Sequence, residues 1–287
     1  MTITNVRRGM TAAVMLCLTS VQLAAQVKDT TSDGRTLVPR DTAQPGKHQA
    51  LFTGTDGMLA VGFGFLTVAM FPADRHIAQS LQDPEVQANR FLSNTGHGLE
   101  MIATPGAFVI GGALYSIGRF GGHKDLEDLG WHGTESVLLA SGVTTILKGV
   151  LGRARPYVAG DSNAHDFKFF RGFADADRQS FPSGHTTAAF AAASSVTAEL
   201  RRVWPKSTWF AAPALYGGAT LVGLSRMYHN NHWASDVVLG AAIGTFSGLK
   251  VVRYSHAHPD NLLDRWIMGV SVIPDASGGG SLMFTFQ

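Results

Sequence analysis

The chain has 287 residues, 45% hydrophobic and 15% charged, with a formal net charge of +2, a pI near 8.8 and a mean hydropathy of +0.08. That length fits one large domain or a smaller one with appendages, and it can bury a substantial core. So mild a charge, with no basic run interleaved with aromatics, argues against a nucleic-acid partner and confines any cationic chemistry to a local site.

Residues 1–25 read as an export signal. Arg7 and Arg8 precede an apolar stretch from Met10 to Leu23, and Ala24 and Ala25 lead into polar sequence. The stretch is short for a membrane span, and an uncleaved anchor helix is the competing reading. Cys17, the only cysteine, lies inside it, so the mature chain is expected to carry neither thiol nor disulfide. Residues 26–50 are polar, contain Pro39 and Pro45 and show no periodicity, which predicts a flexible linker.

Residues 51–256 form the expected helical domain. Apolar stretches rich in Ala and Gly run over Gly57–Pro72, Met101–Gly118, Ser136–Leu147, Thr186–Ala198, Ser207–Ser225 and Val237–Leu249, which predicts an all-α fold, a six-helix bundle. A span needs about 20 mostly apolar residues. Several of these stretches are shorter, which favours a core buried in protein, and with the export signal the expectation is a periplasmic enzyme of the cell envelope, soluble or peripheral ahead of integral. In the tail, residues 257–287, Met268, Val270 and Val272 alternate, Gly278 to Gly280 break, and Leu282, Phe284 and Phe286 alternate again, the pattern of a small β-hairpin.

Three clusters carry the chemistry. Lys148 and Arg155 are seven residues apart, a spacing that places both on one helical face ahead of Pro156, where two cations can clamp one dianion. A solvated basic face, with Arg153 as an equal member, is the alternative. Pro182-Ser183-Gly184-His185 precedes an Ala-rich run and should open a helix, whose free amides and dipole make an anion site. His232 and Asp236 follow Ser225-Arg226 and are four apart, so a helix would stack them and let the carboxylate hold one imidazole nitrogen as N–H.

Together these clusters resemble the three-part signature of the type 2 phosphatidic acid phosphatase family, which also contains bacterial class A acid phosphatases and vanadium haloperoxidases. The resemblance covers roughly residues 130–250 and fills every defining position. It implies a metal-independent phosphatase, without cofactor, acting on phosphate monoesters or diphosphates through a phosphohistidine. His232 would be the nucleophile, Asp236 its orienter and His185 the general acid and then base. Lys148, Arg155, Ser183, Gly184 and Arg226 would bind the phosphoryl oxygens. Phosphatidate or a polyprenyl diphosphate is the expected substrate type, with membrane association and with vanadate or phosphate as inhibitors. The alternatives are a soluble acid phosphatase of broad specificity and a vanadate-dependent haloperoxidase. The non-enzymatic alternative is a scaffold retaining the fold.

Other polar residues are given no role. Asp161, Asp166, Asp175 and Asp177 lack a calcium-loop spacing and read as a solvated loop. His256 and His258 lack a third ligand in the sequence nearby, His229 is left unassigned, and Trp233 reads as packing.

Overall fold

The computed structural model describes residues 52–258, Asn261, Asp264 and the backbone of 270–274 and 280–284. The export signal and linker expected over 1–50 lie outside these residues.

Helix α1 (Gly54–Leu81) opens with a capping box, in which Asp56 accepts the Thr53 amide at 2.7 Å and Thr53 accepts the Asp56 amide at 3.4 Å. After a single turn at Pro84–Gln87, α2 (Arg90–Met101) begins where the Asn89 side chain accepts the amides of Phe91 and Leu92. The chain then passes through a π-type turn, Ile102–Gly106, in which Thr104 leaves helical dihedrals ahead of Pro105. A residue before proline is pushed out of the α region, which accounts for the break. Helix α3 (Ala107–Gly121) follows and ends on Gly122 at φ 70°. Helix α4 (Lys124–Leu151) ends on Gly152 at φ 57°, a left-handed cap suited to glycine.

The connection from 152 to 183 holds two short 3₁₀ turns and leads into α5 (Gly184–Val203), α6 (Thr208–Tyr228) and α7 (Ala234–Ala257). Strands β1 (Val270–Pro274) and β2 (Gly280–Phe284) pair antiparallel, with Val270 opposite Phe284 and Pro274 opposite Gly280. Each apolar stretch of the sequence falls in a helix, but Met101–Gly118 straddles the break, so the described residues hold seven helices where six stretches were counted.

Helix α5 is the inner element, packed against α4, α6 and α7. Its contact with α7 is close because Gly240, Gly244 and Gly248 recur every four residues, and a Cβ at any of them would run into α5 backbone. Small residues at this period let helix backbones approach directly.

The expectation of a soluble or peripheral protein is overturned here. Four helical segments, Gly54–Leu81, Arg90–Gly121, Lys124–Leu151 and Ala234–Ala257, are long and apolar enough to cross a membrane. At about 1.5 Å per residue, 28 residues reach about 42 Å, more than the hydrocarbon core of about 30 Å. The outward surface agrees: Met58, Val61, Phe65 and Val68 on α1, and Val109, Ile117 and Phe120 on α3, are all exposed. So much contiguous apolar surface suits lipid and not water. The short uncharged runs misled because helix ends in this fold carry charged residues, so each helix is longer than its apolar stretch. The protein is read as an integral membrane protein. Carbonate extraction of membranes from expressing cells is expected to leave the chain in the pellet and detergent to release it; recovery in the carbonate supernatant would contradict this.

Candidate active site

The three clusters converge at one end of α5. Lys148 projects from the last turn of α4, with its Cε beside Gly184, and its ammonium donates to the Gln179 carbonyl. Arg155 is not on the same helical face, because Gly152 ends α4 first. It sits in the following loop, where Nε donates to the Ala176 carbonyl at 3.2 Å and Nη1 to Asn231 Oδ1 at 3.3 Å. Ser183 is the N-cap residue of α5 but its side chain does not cap the helix. Its hydroxyl, fully buried, accepts from Thr186 Oγ1 at 2.8 Å, which leaves its own proton for a ligand. The first amides of α5, at Gly184 and His185, are free of intrahelical partners as at any helix start. Arg226, in the last turn of α6, pairs with Glu100 at 2.5 Å.

His232 lies in the loop before α7, not on a helix, and is buried. Its Nδ1 is 2.7 Å from the Ser180 carbonyl and 3.4 Å from Asp236 Oδ2. A carbonyl oxygen only accepts, so Nδ1 carries the proton and Nε2 keeps its lone pair. The expected direct hold of Asp236 on the imidazole is thus taken by Ser180. Asp236 works one step back: its Oδ2 accepts the Ser180 hydroxyl at 2.5 Å and the Trp233 amide at 2.8 Å, and its Oδ1 accepts Arg153 Nη1 at 2.5 Å. Burial pushes the His232 imidazole down to about 3, with Lys148 and Arg155 adding to the fall and Asp236 opposing it. Near neutral pH the ring is therefore uncharged.

Arg153, weighed in the sequence only as part of a basic face, is fully buried. Its Nη1 also donates to Ser235 Oγ at 2.7 Å, its Nη2 to Asp74 Oδ2 at 2.7 Å, and Nε and Nη2 to the Ala164 carbonyl at 2.9 and 2.6 Å. The rings of Phe71, Phe167, Phe181 and Trp233 surround it at 4.8 to 5.5 Å. Asp74, at the far side, accepts the Ser235 amide and hydroxyl at 2.8 and 2.5 Å. Three residues that sequence reasoning missed, Asp74, Ser180 and Glu100, thus support the ones it named. A carboxylate flanked by the apolar residues of α1 was the available signal for Asp74. Trp233 is packing, 1% exposed, with Nε1 donating to the Ala154 carbonyl at 3.0 Å. His229 Nδ1 donates to Glu100 Oε1 at 2.7 Å. The loop acids are tied, not merely solvated: Asp166 takes both Arg178 amines at 3.1 and 2.9 Å, and Asp177 accepts from Tyr157 at 2.5 Å.

Residues 130–260 match the model of the PAP2 superfamily, and the cradle above lies almost wholly within them. Over these residues the chain is similar to the PAP2 superfamily. It is 45% identical over 69 residues to a lipid A 1-phosphatase of Porphyromonas gingivalis, covering 24% of this chain and 15% of the relative. It is 32% identical over 155 residues to a lipid A 1-phosphatase of Rhizobium etli, covering 51% of this chain and 60% of the relative. The chain thus spans less than two thirds of either relative. A solved structure, a transmembrane PAP2 type phosphatidylglycerolphosphate phosphatase from Bacillus subtilis, overlays with a TM-score of 0.49 at 23% identity, over 71% of this chain and 97% of that one. Two helices outside the matched segment, α1 and α2, supply Asp74 and Glu100.

Replacing Arg153 by Leu strands two buried carboxylates, and loss of one partner from a buried pair costs about 3–5 kcal/mol. The variant is expected to unfold at markedly lower denaturant in detergent. Asp74→Asn keeps the shape and is expected to fold while losing turnover; full turnover in Asp74→Asn would show that the network does not position the site.

His185 provides a second check. Burial and the Arg226 guanidinium push it down to about 4, Lys148 and Arg155 add to this, and Glu100 opposes. It is therefore neutral at pH 6 in the ligand-free protein. A phosphate dianion beside these cations reverses their effect, so binding should raise the His185 pKa and draw in a proton. Calorimetric titration of sulfate, a dianion at pH 6, in two buffers of different ionisation enthalpy is expected to show that uptake, and His185→Gln to abolish it.

Proposed function

We propose that this PAP2 protein is a lipid phosphatase working through a phosphohistidine. The observation that supports it is the neutral, buried His232, with Nδ1 engaged and Nε2 free, sharing the electrostatic influence of Lys148 and Arg155 with His185. In the first step His232 Nε2 attacks phosphorus, the ester P–O bond breaks, and the leaving alkoxide takes a proton from His185. In the second, His185 takes a proton from water as the water oxygen attacks the phosphohistidine; the P–N bond breaks and inorganic phosphate leaves. Lys148, Arg155, Arg226, the Ser183 hydroxyl and the Gly184 amide balance charge on the equatorial oxygens. Vanadate, shaped like that transition state, is expected to compete with substrate.

The lipid half of the proposal rests on a cavity of about 270 Å³ whose lining residues are all Ala, Gly, Val, Leu or Ile. Leu99, Ala189 and Val222 stand at its upper wall, within one helical turn of Glu100, His185 and Arg226 respectively, and it continues between the helices to Val196. An apolar space starting at a phosphate cradle suits a substrate with an acyl or isoprenyl chain. Lipid A is the first candidate, because both curated relatives carry its name. The alternative of a soluble acid phosphatase finds no support in a chain with four membrane-length helical segments.

The test is phosphate release from a panel of lipid A, phosphatidate, an isoprenyl diphosphate and a water-soluble monoester. Release from at least one lipid, at a kcat/KM well above that of the soluble monoester, is expected, with His232→Ala as blank. A covalent ³²P label that is acid-labile, alkali-stable and absent from His232→Ala is expected after quenching. Equal turnover of the soluble monoester, or an unlabelled active enzyme, would overturn the corresponding half.

A further inference from the structure

At the other end of the same helices lies a second polar cluster that the reaction does not use. His132 on α4, Glu199 on α5 and His256 on α7 bring one donor atom each within 4.8 Å of one another. Glu199 is fourteen residues along α5 from His185, about 21 Å at the helical rise. His132 Nδ1 is 2.6 Å from Glu199 Oε1, and His256 Nε2 is 2.9 and 3.0 Å from the two Glu199 oxygens. His132 and Glu199 are each 2% exposed. On its far side His132 Nε2 faces Asp264 Oδ2 at 3.9 Å, and Asp264 is itself held by Trp131 Nε1 at 2.8 Å and Asn261 Nδ2 at 2.5 Å. Glu135, one turn along α4, is within electrostatic reach of His132 and Asp264, and its Oε2 is buried with no hydrogen-bond partner.

We infer that His132, Glu199 and His256 form a binding site for a divalent transition metal of the zinc class, stapling α4, α5 and α7 at the end of the bundle away from the phosphate cradle. Without a metal, His132 Nδ1 and His256 Nε2 must both carry protons and donate to the same Glu199 carboxylate. Even then three acids surround two imidazoles. One dication replaces those bridging protons: His132 Nδ1, His256 Nε2 and a Glu199 oxygen turn their lone pairs inward. His132 Nε2–H then donates to Asp264, the carboxylate–histidine–metal relay that fixes ligand tautomers. Two imidazoles and a carboxylate are a donor set that zinc takes; the two histidine–glutamate separations of 2.6 to 3.0 Å would open, and the histidine–histidine separation, within 4.8 Å, would settle, to about 3.3 Å for tetrahedral bonds of about 2.0 Å. His256 was set aside in the sequence for want of a third ligand; the fold supplies two more from helices distant in the chain.

The test uses the full chain in detergent, stripped with chelator and titrated with Zn²⁺ against a chromophoric competitor, with melting temperature read in parallel. One equivalent per chain at sub-micromolar affinity is expected, with a rise in Tm on loading. Glu199→Gln and His256→Ala should each weaken zinc at least tenfold and lose the Tm response, whereas His258→Ala, two residues away and stacked on Tyr254 outside the donor set, should keep both. Failure of the intact chain to bind stoichiometrically, or unchanged affinity in both variants, overturns the site whatever the variants' stability. Because zinc is read directly, this result is independent of whether any phosphate ester is hydrolysed.

Discussion

The guanidinium of Arg153 is the group on which the arrangement depends. It is fully buried between Asp74 of α1 and Asp236 of α7, with every N–H engaged and aromatic rings around it. A charge so removed from water is tolerable only when paired and fully hydrogen-bonded, and this one is. Its geometry therefore admits little slack. Through Asp236 it sets Ser180, and through the Ser180 carbonyl it sets which nitrogen of His232 holds the proton. Four directional hydrogen bonds, Asp74 to Arg153, Arg153 to Asp236, Asp236 to Ser180 and Ser180 to His232, thus link a membrane-length helix to the imidazole.

The electrostatic design of the site follows from opposed demands. Phosphate binding asks for several cations close together, and their combined field keeps both histidines uncharged until an anion arrives. The proposed role of His232 benefits, since a neutral imidazole is the reactive form. The proposed role of His185 does not, and asks for a proton gained once an anion neutralises Lys148, Arg155 and Arg226. Glu100 moderates this conflict: by pairing with Arg226 it blunts the positive field over His185.

The members of the candidate site were legible in the sequence where residue types are scarce and spacing is short. Lys148, Arg155, Ser183, Gly184, His185, Arg226, His232 and Asp236 are gathered at one end of the bundle, although two were expected on helices that stop short of them. Gly152 closes α4 before Arg155, and α7 begins only after His232, facts set by a left-handed cap and by an N-cap bond from Asp236 that a four-residue spacing cannot distinguish from a continuing helix. Arg153, Asp74 and Ser180 were not legible, because the pairing of 74 with 153 and 236 is a property of how helices distant in sequence stack. The membrane question failed for a related reason: apolar runs were measured between charges, and the charges belong to helix ends that the structure extends to 28 residues.

The interruption at Thr104 has an outcome of its own for how this protein can diverge. It divides one membrane-length segment into two rods: the first carries Glu100, paired with Arg226, and reaches the cavity at Leu99, while the second carries Ala107, Ile110, Gly111 and Leu114 in the cavity wall. Since the backbone ladder does not run straight through the joint, residues of the second rod can change in size without turning the first about its axis. Selection on the tail of a substrate and on its headgroup can then proceed on separate halves of a single transmembrane segment.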